Sequence, residues 1–125
     1  MFNQQDSLKV SLDEVGERRT LARERATFVF RAARELLRNV AKHAQATEAM
    51  LSLTWRPGVL RVVVADDGVG FDPSAPWLGG GLGLFDLRER VTHLGGRLQI
   101  DSLAGRGTEV TLDIPLEQLP QGGTA

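Results

Sequence analysis

The sequence of 125 residues contains no cysteine and no long apolar run. Without cysteine, disulfides and thiolate metal sites are excluded. No segment approaches the roughly 18 apolar residues that a transmembrane helix needs. The first residues, MFNQQDSLKV, lack a basic patch followed by an apolar segment, so no signal peptide is predicted. We therefore expect a cytoplasmic domain without membrane contact of its own, although a parent protein could carry a membrane anchor.

An excess of charge of one sign is also missing. The chain has 15 Lys and Arg against 16 Asp and Glu, which gives a net charge of −1. The arginines of the first half alternate with glutamates, and tyrosine is absent. These features favour a solvated helix face over a nucleic-acid interface, so no nucleic-acid partner is predicted.

The apolar residues follow patterns that predict one α+β domain over residues 1–125. We predict strands over 8–12, 50–55, 60–65, 97–101 and 109–114, and helices over 20–43, as one long helix or two nearly continuous ones, and over 85–94. Short connections join the last four strands into two antiparallel hairpins. This order indicates a two-layer sandwich, with a mixed, mainly antiparallel sheet covered on one face by helices. Residues 68–83 are predicted to form a glycine-rich lid and residues 117–125 a flexible tail.

One polar feature lies on the long predicted helix. Glu35, Asn39 and His43 are spaced by four residues and share one broad face. Carboxylate and amide oxygens placed in this way can hold a divalent cation or a water. The same spacing also occurs in solvated polar pairs on ordinary helices, so it does not decide function alone.

Three glycine-containing segments follow in order. DDGVG at 66–70 comes after an apolar strand, where a carboxylate can accept a hydrogen bond from an exocyclic amine. GGGLGL at 79–84 leads into a helix, whose first amides can bind phosphate. GRGT at 105–108 ends with a hydroxyl that can bond a base. Each segment alone is also compatible with an ordinary turn or loop, and a Walker A loop is excluded because Gly-Lys-Ser/Thr is absent.

The order of the four segments resembles the GHKL ATPases, the superfamily of gyrase, Hsp90, histidine kinases and the mismatch-repair clamp. The segments are similar to its N, G1, G2 and G3 boxes, and the resemblance covers about residues 28–116. RELLRNVAKHA at 34–44 and GLFDLRERV at 83–91 resemble histidine kinases with a short lid, which are paired with DNA-binding response regulators. The resemblance implies the Bergerat fold.

The resemblance also implies an ATP and Mg²⁺ site between the helical layer and the sheet. It implies that Asn39 ligates Mg²⁺ and that Glu35, the candidate catalytic residue, orients a water or assists the metal. Asp66 would accept a hydrogen bond from the adenine amine, with Thr108 near the base. The further nucleotide-binding residues that it implies are Lys42, His43, Gly68, Gly70, Gly81, Leu82, Gly83 and Leu84.

The scarcity of histidine limits the reaction. Histidine kinases phosphorylate an imidazole on a separate dimerisation domain, and neither His43 in the N box nor His93 near a helix end is the expected acceptor. We therefore predict the catalytic half of a histidine kinase, monomeric in isolation, with that dimerisation domain and a response regulator as partners. Two alternatives remain open: a stand-alone anti-sigma-factor serine kinase of the same fold, and a nucleotide-binding module without catalysis.

Overall fold

The computed structural model describes residues 8–69, 82–103 and 105–116. Within these segments lie five strands and two helices. In chain order they are β1 (Lys9–Val15), α1 (Arg23–Asn39) with a π-helical turn (Val40–Ala44), β2 (Glu48–Arg56), β3 (Val59–Asp66), α2 (Leu82–His93), β4 (Arg97–Leu103) and β5 (Gly107–Pro115). Neither helix is both long and apolar enough to cross a bilayer in the part of the chain that is described.

The five strands form one sheet in the order β1-β2-β3-β5-β4. β1 pairs with β2 in parallel, whereas the other three pairs are antiparallel. Both helices contribute to the same core, α1 over β3 and α2 over β4 and β5. The predicted fold class, a mixed and mainly antiparallel sheet covered on one face by helices, is therefore confirmed.

The core follows from the two periodicities of the sequence. Alternate residues of β3 and β5 are buried, which places one apolar row of each strand under the helices. The helix α1 buries Phe28, Ala32 and Leu36, at four-residue steps along one face. Each large apolar side chain removed from water in this way contributes about 1.5–3 kcal/mol.

Arg25 fixes the direction in which both helices cross the sheet. Its guanidinium is buried and donates to the carbonyl oxygens of Pro115, at 2.8 Å, and Leu94, at 2.9 Å. The first turn of α1 and the residue after α2 therefore meet where β5 ends. A helix of 17 residues spans about 25 Å, close to the length of a nine-residue strand. The end of α1 and the start of α2 consequently point toward the opposite sheet end, where β3 reaches Asp66.

The predicted helical segment over 20–43 starts three residues too early and ends within one residue of the observed helical segment, in two continuous parts. The α-helix begins at Arg23 and stops at Asn39, and Val40–Ala44 continues as a π-helical turn, which is wider than an α-turn. Gln45 then adopts a left-handed φ of 54°, which ends the helical segment. The α-helical spacing therefore ends at Asn39, and the backbone reaches His43 through the π-helical turn. Most of the predicted lid and the predicted tail lie outside the described residues.

Candidate functional site

A polar row crosses the sheet at the end of β3. The strand register places Ala49, Asp66, Thr108 and Ser102 opposite one another on β2, β3, β5 and β4. Ala49 and Ser102 are buried, so this row faces the helical layer. The next row on that face is apolar, with Leu51, Val64, Val110 and Ile100. Asp66 and Thr108 therefore introduce polar groups where the apolar core ends.

The carboxylate of Asp66 is held in a defined orientation. Oδ1 accepts a hydrogen bond from the Gly68 amide at 2.7 Å, and the Thr108 amide also donates to the carboxylate. Burial raises the pKa of Asp66 above its ordinary value, while these amides act in the opposite direction. Asp66 remains partly accessible. It can therefore present a fixed acceptor to a ligand that enters between the layers.

The hydroxyl of Thr108 is also fixed. Thr108 Oγ1 and Ser102 Oγ lie 2.8 Å apart in a hydrogen bond, and Ser102 Oγ contacts the Gly107 carbonyl oxygen at 3.3 Å. Gly107 has a φ of +88°, and a Cβ there would overlap the carbonyl oxygen of Asp66. Only glycine lets β5 approach β3 this closely at the site.

Asp67 joins the strand end to the segment that follows the π-helical turn. Its Oδ1 accepts from the amides of Thr47 at 2.9 Å and Glu48 at 3.0 Å, and its Oδ2 accepts from the Thr47 hydroxyl at 2.8 Å. The Asp67 amide donates to the Glu48 carbonyl oxygen at 3.2 Å. Hydrogen bonds with Glu48 and Thr47 lower the pKa of Asp67, so it is ionised at neutral pH.

Asn39 occupies the last position of α1 and carries an unsatisfied polar atom. Its Nδ2 is buried and has no hydrogen-bond partner among the residues that the structure describes. Rotation of the amide by 180° exchanges Nδ2 with Oδ1, a change that heavy-atom positions alone do not distinguish. A buried carboxamide oxygen is a suitable ligand for Mg²⁺, so the residue fits the metal that the family resemblance implies.

Residues 8–69, 82–103 and 105–116 contain no cluster of three or more His, Cys, Asp or Glu side chains that could hold a metal ion. Mg²⁺ does not need such a cluster, because it is commonly bound by one or two side chains together with waters and substrate phosphates. A site centred on Asn39 is therefore chemically consistent.

Glu35 lies apart from Asp66 in the described structure. It is half-buried and lines an open groove of about 1070 Å³ between α1 and α2. Arg31 and Arg34 border the same groove on α1, and Asp86 and Arg90 border it on α2, where they form an ion pair at 3.3 Å. Asp66 instead lines a cleft of about 790 Å³ at the strand ends. The described residues do not bring the two carboxylates into one cleft.

The other predicted residues that the structure describes lie on the π-helical turn and in the first turn of α2. Lys42 is exposed on the π-helical turn, which also includes the backbone of His43. Leu82, Gly83 and Leu84 form the first turn of α2, and Leu84 is buried. Gly70 and Gly81 lie outside the described residues.

The structure adds Thr47, Asp67 and Ser102, to which the sequence interpretation assigned no role. Asp67 follows Asp66 directly, but nothing in the sequence indicates that it bonds to Thr47, 20 residues away. Ser102 lies opposite Thr108 only because of the β4–β5 register.

Comparison with known proteins identifies the family. Residues 24–118 match the family described as histidine kinase-, DNA gyrase B- and HSP90-like ATPase. The chain belongs to this ATPase family. A structure of the histidine kinase domain of a blue-light-activated histidine kinase from Erythrobacter litoralis superposes with a TM-score of 0.73 at 31% identity, covering 88% of this chain and 52% of that one.

Curated members of the family include proteins named as sensor histidine kinases. The oxygen sensor histidine kinase NreB of Staphylococcus carnosus is 40% identical over 90 residues, which is 72% of this chain and 26% of that protein. A sensor-like histidine kinase of Chloroflexus aurantiacus is 38% identical over 94 residues, 71% of this chain and 16% of that protein. The chain thus spans about a quarter or less of the length of these relatives.

Proposed function

We propose that this chain is the ATP-binding catalytic domain of a sensor histidine kinase. It binds Mg-ATP and donates the γ-phosphoryl group to a histidine on a dimerisation domain outside this chain. The observation that carries the proposal is the oriented carboxylate of Asp66, with Thr108 beside it, at the sheet end toward which Asn39 and the start of α2 point. The names of the relatives support the same reaction.

The polar row suits an adenine base. The exocyclic amine of adenine donates hydrogen bonds, whereas guanine has an acceptor oxygen at the corresponding position. A carboxylate that is already fixed by two backbone amides loses little freedom when it accepts from such an amine. Asp66 therefore selects ATP over GTP, with the Thr108 hydroxyl as a second contact to the base.

The start of α2 suits the phosphates. The first amides of a helix are not bonded within the helix and carry the positive end of its dipole. Leu82, Gly83 and Leu84 lie in this turn, and Gly81 directly precedes it. In this proposal Gly68 and Gly70 would leave room for the base, and Lys42 and His43 would be further contacts to phosphate or ribose.

Asn39 would hold Mg²⁺, and Glu35 would orient a water or assist that metal. When bound, the metal neutralises phosphate charge during phosphoryl transfer. The role of this chain's own residues is to position the nucleotide: Asp66 would orient the base, the first amides of α2 would hold the phosphates, and Asn39 would offer an amide oxygen to the metal.

Nucleotide titration tests the site. Asp66→Asn should weaken ATP binding about tenfold, equivalent to about 1.4 kcal/mol, because its amide group places N–H donors against the Gly68 and Thr108 amides. It should also reduce the preference for ATP over GTP. Asn39→Ala should reduce only the Mg²⁺-dependent part of the affinity, measured with and without EDTA. Asp101→Asn is the matched control, because this exposed carboxylate lies in the row next to that of Ser102 on β4. Equal ATP affinity of wild type and Asp66→Asn would contradict the proposal.

Phosphotransfer tests the reaction and its partners. With Mg-ATP alone, the chain should bind nucleotide without accumulating acid-labile phosphohistidine. Adding the parent's histidine-bearing domain, and then its response regulator, should produce labelled phosphohistidine followed by labelled regulator. Labelling of the isolated chain would contradict the assignment, and labelling of a partner's serine would favour the anti-sigma-factor type of kinase. The monomeric state and cytoplasmic location stay predictions.

A further inference from the structure

We propose that Asp67 is a positioning residue for base selection, because it locks the strand end that carries Asp66 to the segment that leaves α1. This inference rests on the proposed function, in which Asp66 accepts a hydrogen bond from the adenine amine. It assigns to the second aspartate a separate role: Asp67 does not contact the base but determines where Asp66 stands.

The first argument is the position of Asp67 relative to the strand pairing. The β2–β3 ladder ends with the pair Ala49 and Asp66, so Asp66 is a terminal residue of its strand. Strand ends open locally more easily than strand centres. The bond from the Asp67 amide to the Glu48 carbonyl oxygen, at 3.2 Å, continues the pairing one residue beyond Asp66. This backbone bond extends the ladder past the residue where the site needs a fixed carboxylate, and the Asp67 side chain holds the same partner segment through separate bonds.

The second argument is the number of donors that converge on the Asp67 side chain. The amides of Thr47 and Glu48 and the hydroxyl of Thr47 all donate to it, at 2.8–3.0 Å. All three donors belong to Thr47, which directly precedes β2, and Glu48, which begins it, shortly after the π-helical turn and Gln45. The carboxylate therefore connects the end of the helical segment to β3, and the two parts of the chain move together.

The third argument is that Asp66 is already held on its other side. The Thr108 amide bonds its carboxylate, and Gly107 packs against its carbonyl oxygen. The β5 side thus fixes one edge of the backbone at Asp66, and Asp67 fixes the edge toward β2. Without the Asp67 carboxylate, the β2 side would hold Asp66 through backbone pairing alone, and the Asp66 carboxylate would be less firmly oriented toward the base.

The test compares the affinities of ATP and GTP in the presence of Mg²⁺ for Asp67→Ala, Asp67→Asn and Thr47→Val. Asp67→Ala should reduce the ratio of ATP to GTP affinity about tenfold, mainly by weakening ATP. Asp67→Asn should restore most of the ratio, because its oxygen can accept from both amides while its NH₂ donates to the Thr47 hydroxyl. Thr47→Val, which loses one of the three bonds, should reduce the ratio about two- to threefold.

A purely structural role predicts a different pattern. If Asp67→Ala lowers the affinity for both nucleotides equally, or lowers only the folded fraction, the ratio is unchanged and the inference is overturned. Should Asp67→Ala not fold, Thr47→Val decides, because it keeps both backbone bonds; an unchanged ratio in that variant overturns the inference.

The outcomes also separate this inference from the proposed function. If Asp66→Asn changes the ratio of ATP to GTP affinity and Asp67→Ala does not, only the role proposed for Asp67 is refuted. If wild type does not bind ATP, or if Asp66→Asn binds ATP and GTP as wild type does, both proposals fail. Asp101→Asn should retain the wild-type ratio throughout.

Discussion

Replacing Gly107 with alanine should disturb both the stability of the domain and its nucleotide site. Gly107 has a φ of +88°, a region that costs a residue with a Cβ about 1–2 kcal/mol. The new Cβ would also overlap the carbonyl oxygen of Asp66 and lie 3.3 Å from the Cα of Asp67. Because both neighbours are backbone atoms, β3 and β5 must separate, which costs about 1–3 kcal/mol as in other overpacked sites. We expect a loss of about 2–5 kcal/mol in the free energy of unfolding.

Gly58→Ala is the matched control for this prediction. Gly58 has a φ of +84°, but no atom lies within 4 Å of the position that a Cβ would occupy there. It should therefore lose only the backbone contribution of about 1–2 kcal/mol. Urea unfolding of both variants measures the difference, and ATP titration of the folded Gly107→Ala protein should show weakened binding because Asp66 is displaced. Equal losses of unfolding free energy in the two variants would refute the close-contact argument.

Two further predictions concern groups away from the site. Arg25→Met should lower the free energy of unfolding by about 2–4 kcal/mol, because it removes two charge-assisted hydrogen bonds to backbone carbonyls but keeps an apolar side chain there. Urea unfolding measures this loss, and a value below about 1 kcal/mol would contradict the prediction. Hydrogen bonds from Arg18 and Trp55 lower the pKa of Glu14 from 4.5 to about 2. The stabilisation by ionised Glu14 should be complete above pH 4.5 and disappear as the pH falls toward 2. Glu14→Gln should therefore flatten the pH dependence of the thermal unfolding midpoint in that range. If the midpoints of both proteins change with pH in parallel, these bonds do not contribute to stability.

Most of the fold could be predicted because its signals are local. Alternating apolar residues identify β3 and β5, and the segment without glycine or proline identifies α1. The helix boundaries were less accurate, since the π-helical turn at Val40–Ala44 and the left-handed Gln45 have no distinctive residue type. The sheet was predicted to be mixed, but not which strands pair in parallel, because the partners in β1 and β2 lie 39 residues apart, as with Lys9 and Glu48.

The residues of the candidate site also fall into those that the sequence predicts and those that only the structure brings together. Asp66 and Asn39 were chosen as candidate site residues from short motifs and from the order of those motifs along the chain. Ser102, Thr47 and the role of Asp67 were not, because each depends on a partner brought near by strand register or by the exit of a helix.

The sequence by itself determined the order of the elements, the family and the residue types available for chemistry. These are properties of neighbouring residues and of motif order. Only the tertiary structure decided that Asp66 and Thr108 share one row, that Asn39 has a buried amide without a partner among the described residues, and that Asp67 joins two distant segments. The physical reason is that such contacts arise when strands align and helices pack, and their geometry depends on the whole sheet rather than on any short segment of the chain.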